Sequence, residues 1–436
     1  MKTYDVVIVG GGFTGLTAAY VLAKNGKSVK LLESEGEPGG LAGTFQFADH
    51  VKVEKFYHHW FNNDLFVPEL VKELGLEGDI TLHATQTGMY FNGRIWKLSS
   101  PLDVLRFEAL SLVDRIRLGL LVFQVRKVKD WKKIEHLSVR EWLEPLCGSK
   151  VYKVVWEPLL KAKFSIYSEE INAVWMWKKL ALRGSTRNRK GGEQLAYFKG
   201  GFGRLSQVLV NAIEDLGGSV ELNQKVVSVK TDGDRIQSLE TKDKSIAGVQ
   251  FIFTPALPII ADILEGVVDS ASLSKLRRVN YLGNICLVVR LNRSLSSTYW
   301  LNVNDPGFPF VGVIEHTNFD SPANYEGLHV VYLSRYVAPE DEVWKLNDEA
   351  YFNDAIMHLK KMFPTLEQNW IVDYRIWRAE FAQPITEKGY SGYVPSQDTP
   401  FANAWISTMA QIYPEDRGTN YAIRDGYRIA ERVTKI

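Results

Sequence analysis

One stretch constrains the fold more than any other: Tyr4 to Thr44, YDVVIVGGGFTGLTAAYVLAKNGKSVKLLESEGEPGGLAGT. Val6-Val7-Ile8-Val9 is a continuous β-branched run, the pattern of a parallel strand covered on both faces. Gly10, Gly12 and Gly15 follow with the spacing G-x-G-x-x-G. The first permits a tight turn, the second lets a pyrophosphate approach the backbone, and the third lets the next helix pack close to the sheet. That helix opens at Phe13 and Thr14, and its first N–H groups and partial positive charge face the pyrophosphate. A second strand, Ser28 to Leu32, ends in Glu33, an acid about 20 residues beyond the glycines that is suited to a ribose hydroxyl, with Ser34 beside it. A strand, a glycine turn, a helix, a strand and an acid in this order predict dinucleotide binding.

Beyond Glu33 the chain reads Ser34-Glu35-Gly36-Glu37-Pro38-Gly39-Gly40-Leu41-Ala42. This resembles the E-x5-G-G extension of FAD-binding flavoproteins of the glutathione-reductase-like class, which includes amine oxidases and protoporphyrinogen oxidase. Glu35 and Glu37, with no arginine nearby, argue against a 2′-phosphate. The resemblance implies FAD, with Gly40, Leu41 and Ala42 bringing a second loop against the ribityl-pyrophosphate. It implies an adenine contact through the backbone of Val226 or Val227. It also implies that the N-terminus of a final helix, with Arg417, Gly418, Thr419 and Asn420, lies nearest the flavin ring, where a positive helix end favours the reduced anion. Three departures bear on activity. Leu41 stands where many amine oxidases have arginine, Thr408-Met409 stands where a Gly-Asp commonly holds the ribityl chain, and Leu282 to Leu291 lacks the lysine that many amine oxidases place near flavin N5. No cysteine falls where a covalent flavin link is expected, so the FAD is expected to be noncovalent.

The expected fold is α/β: a glutathione-reductase-like FAD-binding Rossmann domain (1–84, 200–264 and 404–436) with an interleaved α+β substrate domain (85–199 and 265–403). Glycines at 200, 201 and 203 open a helix that Gly217-Gly218 ends. Strands are expected at Val220 to Leu222, Val226 to Val229, Gln250 to Thr254 and Ala404 to Ser407. In the interleaved segments Met89 to Trp96 reads as a hairpin turning at Asn92-Gly93, and Pro101 to Leu182 reads as mostly helical. Ile285 to Leu291, Phe310 to Ile314 and His329 to Ser334 read as strands, and Asp348 to Met362 as a helix. A net charge of +1 over 436 residues gives no electrostatic reason to expect nucleic acid. Two cysteines, Cys147 and Cys286, make no disulfide framework. With a strand starting at once and no room for a signal peptide, a cytoplasmic protein is expected. Leu118 to Phe123, flanked by Arg115, Arg117, Arg126, Lys127, Lys129, Lys132 and Lys133, has two readings. The favoured one is a helix packed on the substrate domain with solvated basic ends; the other is a helix lying on a membrane surface.

Three stretches could carry chemistry. Glu54 to Asp64 holds Tyr57, His58 and His59 among aromatics and amides, and looks like the histidine-bearing segment that approaches the flavin in UDP-galactopyranose mutase. Histidine titrates near neutral pH, so His58 or His59 is expected to tune the flavin or move a proton, with one of the pair facing it, because neighbours on a strand point to opposite sides. Lys161 and Lys163, with Arg183, Arg187 and Arg189, could hold an anionic substrate. Tyr299, His316 and Tyr332, with Trp300 and nearby amides, suit the walls of a pocket for a sugar or planar molecule. Each of these stretches could equally be core packing in a chain with 12 Trp and 19 Tyr. No metal-ligand spacing is present. The leading expectation is an FAD-dependent oxidoreductase that takes a hydride from a small organic substrate onto flavin N5. The alternatives are a mutase-like, non-redox conversion of a nucleotide sugar by reduced FAD, and a flavin-stabilised binding protein without turnover.

Overall fold

The computed structural model describes residues 2–47, 51–98, 100–183 and 194–435. Two seven-stranded sheets organise the chain. The first is built around Thr3–Val9, which lies parallel between Val29–Leu32 and Ser245–Phe253. Covered on both sides, Val6, Val7 and Ile8 are fully buried, each contributing about 1.5–3 kcal/mol. Ser219–Glu221 adds at one edge, while Arg235–Thr241 and Val226–Asp232 extend the other as an antiparallel pair. Ala404–Ile406 pairs parallel to the far half of Ser245–Phe253 and brings the C-terminal helix, Thr419–Thr434, across Phe13–Lys24. Gly426 makes that crossing close: a Cβ there would sit 2.6 Å from the Thr17 Cβ.

The second sheet runs Ile371–Pro384, Tyr281–Leu291, His329–Val337, Gly312–Glu315, Trp300–Val303, Thr87–Phe91, Arg94–Lys97. It is antiparallel except where Trp300–Val303 meets Thr87–Phe91. The last two strands form the expected hairpin, turning at Asn92 (φ 54°) and Gly93 (φ 67°). Tyr281–Leu291 is buried along its whole length because sheet neighbours flank both edges and side chains cover both faces. A smaller sheet joins Trp60–Phe61 and Ile80–Ala84 through Gln194–Phe198.

Helices from Pro101 to Arg183 close one side of this second sheet. Ser111 caps the helix Leu112–Val125 and Ser138 caps Val139–Cys147, each accepting from a backbone N–H three residues on. The favoured reading of the Leu118–Phe123 run, a helix packed on the substrate domain with solvated basic ends, describes one side of the helix Leu112–Val125. Leu121 and Val125 are buried, but Leu112, Val113, Ile116, Leu120 and Phe123 are exposed. The helix Glu157–Phe164, preceded by a π-helical turn at Tyr152–Trp156, is stopped by Ser165 at φ 48°. That left-handed residue costs of order 1 kcal/mol and ends the helix just beyond Lys163.

Candidate active site

The glycine loop is built as its spacing predicts. Gly10 has φ 102°, and a Cβ there would lie 2.4 Å from Thr254 Oγ1. A Cβ on Gly15 would lie 2.0 Å from the Gly10 carbonyl oxygen. At Gly12 a Cβ would meet nothing within 4 Å, so the loop leaves an open cradle at the helix start. No side chain caps Phe13–Lys24, and no acid lies in its first turn. Phe13 turns its ring into the core against Phe202, so it can offer a ligand only backbone. Thr14 is half-buried in the first turn.

Glu33 is held inside this loop, only 7% exposed. Its Oε2 accepts from Gly11 N at 2.5 Å, and its Oε1 accepts from Ser34 Oγ at 3.0 Å and Glu35 N at 2.8 Å. The second glycine loop lies against the first: Gly39 N donates to Gly11 O at 2.8 Å, and a Cβ on Gly40 would stand 3.2 Å from Gly12 Cα. Ala42 is buried, while Leu41 faces a cavity of about 270 Å³. Val226 is buried and Val227 is 49% exposed, so the two positions open for the adenine contact differ in surroundings.

The cavity lies against the second sheet, where Asn284, Asn302, Ser334 and Tyr336 face Leu41 of the second glycine loop and the C-terminal helix. On one side it is closed by Gly418, Thr419, Asn420 and Tyr421 at the start of the C-terminal helix. That helix end has no side-chain cap and no acid in its first turn, so its partial positive charge is uncompensated there. Trp60 Nε1 donates to Thr419 Oγ1 at 2.7 Å, and Asn420 Oδ1 accepts from Phe66 N at 2.9 Å, which fixes the helix end to the histidine segment.

Tyr57, His58, His59, Tyr299 and Trp300 form an aromatic wall. Tyr57 meets Trp300 edge-on at 4.9 Å, and His59 Nδ1 lies 2.9 Å from Tyr299 Oη. Both histidines line the cavity, and the alternation behind the expectation that only one faces the flavin is absent. Residues 57–59 are irregular backbone rather than strand, so alternation does not apply. His58 Nδ1 bonds the Phe56 carbonyl at 2.6 Å, and burial lowers its pKa, favouring the neutral ring. Burial raises Asp64, also at the cavity, to about 6.

The adjoining wall is cationic. Lys163, Lys179 and Arg417 meet Tyr336, Trp175 and Asp416. Lys179 Nζ lies 2.6 Å from Asp416 Oδ2, and Trp175 Nε1 donates to Asp416 Oδ1 at 3.0 Å. Arg417 donates from Nη2 to Tyr336 Oη at 2.8 Å and from Nε to Gln383 Oε1 at 2.9 Å. The Lys163 ammonium sits 4.9 Å from the Tyr336 ring centre. Burial alone would raise Tyr336, but Lys163 and Arg417 override it and hold the phenol at about 8. Burial likewise opposes charge on Asp416, yet Lys179, Lys163 and Arg417 keep its carboxyl well below the usual range. Burial lowers Lys163.

Three further expectations are corrected. Lys161 is exposed and paired with Glu157 one turn back, because it lies on the outer face of the helix that turns Lys163 inward. His316 is fully buried behind the cavity, its Nε2 2.7 Å from Tyr325 Oη, in an aromatic cluster with Tyr197 and Phe319. Tyr332, also fully buried, donates to the Glu54 carbonyl at 3.1 Å, so it is core rather than cavity wall. Arg187 and Arg189 lie outside the described residues, as does the side chain of Arg183, whose backbone ends the helix Ala173–Arg183.

Sequence reasoning missed Asn284, Ser334, Tyr336, Trp175, Lys179 and Asp416. Asn284 had a usable signal: it is a polar residue in the otherwise apolar strand segment Gly283 to Val289. Its Nδ2 donates to Ser334 Oγ at 2.9 Å, but its Oδ1 is buried without a partner. An orphaned acceptor at the cavity, the open cradle at Gly12 and two uncapped helix ends all fit a bound dinucleotide whose ring reaches the cavity. Among the described residues no group of His, Cys, Asp and Glu could hold a metal ion, and no helix is long and apolar enough to cross a membrane.

A parallel sheet with a glycine cradle, joined to a mixed sheet that backs an aromatic cavity, defines the flavoprotein class of Rossmann-type folds. The flavin containing amine oxidoreductase family matches residues 13–434, and the chain belongs to that family of enzymes. It is 26% identical over 298 residues to the flavin-containing amine oxidase B of Cavia porcellus, over 62% of this chain and 56% of that protein. The chain thus spans about half the length of the curated relatives it matches. In fold it is similar to an oxidoreductase from Methanosarcina mazei (TM-score 0.76, 18% identity, 98% of this chain and 100% of that chain). It is equally similar to reduced UDP-galactopyranose mutase (TM-score 0.76, 15% identity, 100% of this chain and 94% of that chain).

Proposed function

We propose that the protein is an FAD-dependent oxidoreductase acting on a small organic substrate in the cavity against the second sheet. The observation that carries this reading is the continuity from the Gly12 cradle, through Leu41, to an aromatic cavity closed by the uncapped C-terminal helix. Gly10 to Gly15, Glu33 and the Gly40–Ala42 loop would hold the nucleotide end, and Gly418 to Asn420 would adjoin the ring. In this reading segments 1–84, 200–264 and 404–436 form the FAD-binding unit, with the rest as substrate unit. When bound, FAD supplies hydride acceptance at N5. The chain's own residues orient the substrate and exclude water: Tyr57, Tyr299 and Trp300 offer one wall for an apolar or planar body. Asn284 Oδ1 accepts a hydrogen bond from a bound donor. Tyr336 Oη, held near neutrality, takes or returns a proton, and His59 Nδ1 fixes the Tyr299 hydroxyl.

The cationic wall favours a substrate with an anionic end, and on that ground a second reading stands beside the first: a non-redox conversion of a diphosphate-linked sugar by reduced flavin. The purified protein is expected to be yellow. Anaerobic bleaching by candidate substrates supports dehydrogenation. Turnover only after dithionite, with no net redox change, supports the second reading. A colourless preparation that FAD cannot reconstitute overturns both.

A further inference from the structure

The helix Leu112–Val125 carries apolar residues on two opposite faces. One holds Leu121 and Val125, which are buried, and the Val125 carbonyl accepts from Trp177 Nε1 at 3.2 Å. The other holds Leu112, Val113, Ile116, Leu120 and Phe123, all exposed, with Leu112 and Phe123 at 62%. At about 100° per residue these five fall within an arc of about 100° of the helix. The short helix Pro101–Leu105, packed beside it, adds exposed Leu102 and Leu105. A helix apolar on both sides ordinarily has both sides covered. Soluble monomers rarely leave a patch of this kind to water without a partner.

The charges around the arc identify that partner. Arg115 and Arg117 flank it on either side, and Lys127, Lys129, Lys132 and Lys133 follow its C-terminal end, all four exposed and in no ion pair among the described residues. Residues 101–133 hold eight Lys and Arg against four Asp and Glu, a net +4 in a chain whose total is +1. A second copy of the same face would set these positive charges against each other. A lipid surface bearing negative headgroups accepts the apolar arc into its acyl boundary and pairs with the lysines around it.

We propose that this face docks the protein on an anionic membrane surface, with Leu112, Ile116 and Phe123 inserted and Lys127, Lys129, Lys132 and Lys133 at headgroup level. The helix lies in the interface and does not span it. Its inner side packs on the helix Ala173–Arg183, which supplies Trp175 and Lys179 to the cavity, so docking brings the substrate unit close to the bilayer.

The test uses the full-length protein with vesicles of phosphatidylcholine alone, and with vesicles of equal parts phosphatidylcholine and phosphatidylserine. Binding is read by sedimentation and requires no flavin turnover. The protein is expected to sediment with the anionic vesicles, and less in high salt. The double variant Lys127→Gln/Lys129→Gln is expected to bind them about 30-fold more weakly, at about fivefold per lysine. Ile116→Ser/Phe123→Ser is expected to lose binding while keeping its circular dichroism spectrum. Failure of the wild type to bind anionic vesicles overturns the proposal, as does equal binding by the lysine variant. A dimer in light scattering that Ile116→Ser/Phe123→Ser converts to monomer also overturns it, since the covering partner is then a second copy.

Discussion

Replacing Lys163 with methionine keeps the length of the side chain and removes one of the two charges that hold the Tyr336 phenol down. In the wild type burial pushes the Tyr336 phenol up, while Lys163 and Arg417 pull it down to about 8, from an ordinary 10.0. A unit charge 4.9 Å from the ring centre, at an effective dielectric of about 20, contributes about 3 kcal/mol. Lys163 is only half-buried by exposed surface, so screening reduces this to about 1–2 kcal/mol, or roughly one pH unit. Lys163→Met is therefore expected to move the Tyr336 midpoint from about 8 toward 10. The assay is the tyrosinate absorbance titration, with Tyr336→Phe subtracted so that one tyrosine of the 19 is read. The stability consequence has a definite sign. Tyr336 is an acid depressed in the folded state, so its contribution is present above pH 10 and is lost as pH falls through about 8. Between those values the wild type should gain stability over Lys163→Met as pH rises. Superimposable titrations of wild type and Tyr336→Phe near pH 8 would refute the reasoning, as would a midpoint that Lys163→Met leaves in place.

Gly15→Ala forces its methyl to 2.0 Å from the Gly10 carbonyl, where only backbone can yield; expected are a colourless preparation and a loss of about 1–3 kcal/mol in denaturant titration, and a yellow protein with wild-type stability counts against the cradle. Asp64, raised by burial to about 6, is an acid whose stabilising contribution is present below its ordinary 3.8 and lost as pH rises through 6. Asp64→Asn keeps an acceptor for Phe61 N and should raise the melting temperature above pH 6 while leaving it unchanged near pH 4. His58→Ala and His59→Ala should both alter the bound flavin's visible spectrum, since both line the cavity. His59→Ala should in addition cost about 1 kcal/mol through its bond to Tyr299. Two wild-type spectra would remove the pair from the site.

The glycine loops were legible in the sequence because their shape is a demand on backbone. Gly10, Gly15 and Gly40 sit where a Cβ meets backbone or a fixed side chain, and steric demands of that kind leave a spacing in the chain. The hairpin at Asn92-Gly93 and the helix Asp348–Met362 were legible for the same local reasons. The strand Ile371–Pro384 was not: its exposed and half-buried residues follow no simple alternation, and a bulged register with Tyr281–Leu291 breaks the period further. The cavity walls were legible only in part, since they depend on which side of an element faces inward. Lys161 and Lys163 are two residues apart on one helix, yet only the second reaches the site. Tyr332, Ser334 and Tyr336 alternate along one strand, but Tyr332 ends in the core while Ser334 and Tyr336 reach the cavity. Depth along the strand, which only the packed sheets determine, separates them.

Membership of the family indicates a type of chemistry, and the proposed preference for an anionic substrate rests on the cavity's charges. A protonated amine placed beside Tyr336 would face Lys163, Lys179 and Arg417, and the Asp416 carboxylate beside them is already engaged by Lys179 and by Trp175. A carboxylate or phosphate in the same place would meet Lys163 and Arg417, which contact the Tyr336 phenol and the Gln383 amide and whose charge Asp416 offsets in part. The uncapped end of the C-terminal helix adds to the same sign. Because burial already lowers Lys163, an anion bound there would raise its pKa, and the proton balance of binding would carry that signature. Aromatic surface adjoins this wall, so under the proposed reading the substrate would be amphiphilic, with a flat or apolar body against Tyr57, Tyr299 and Trp300 and a negative end toward Lys163 and Arg417.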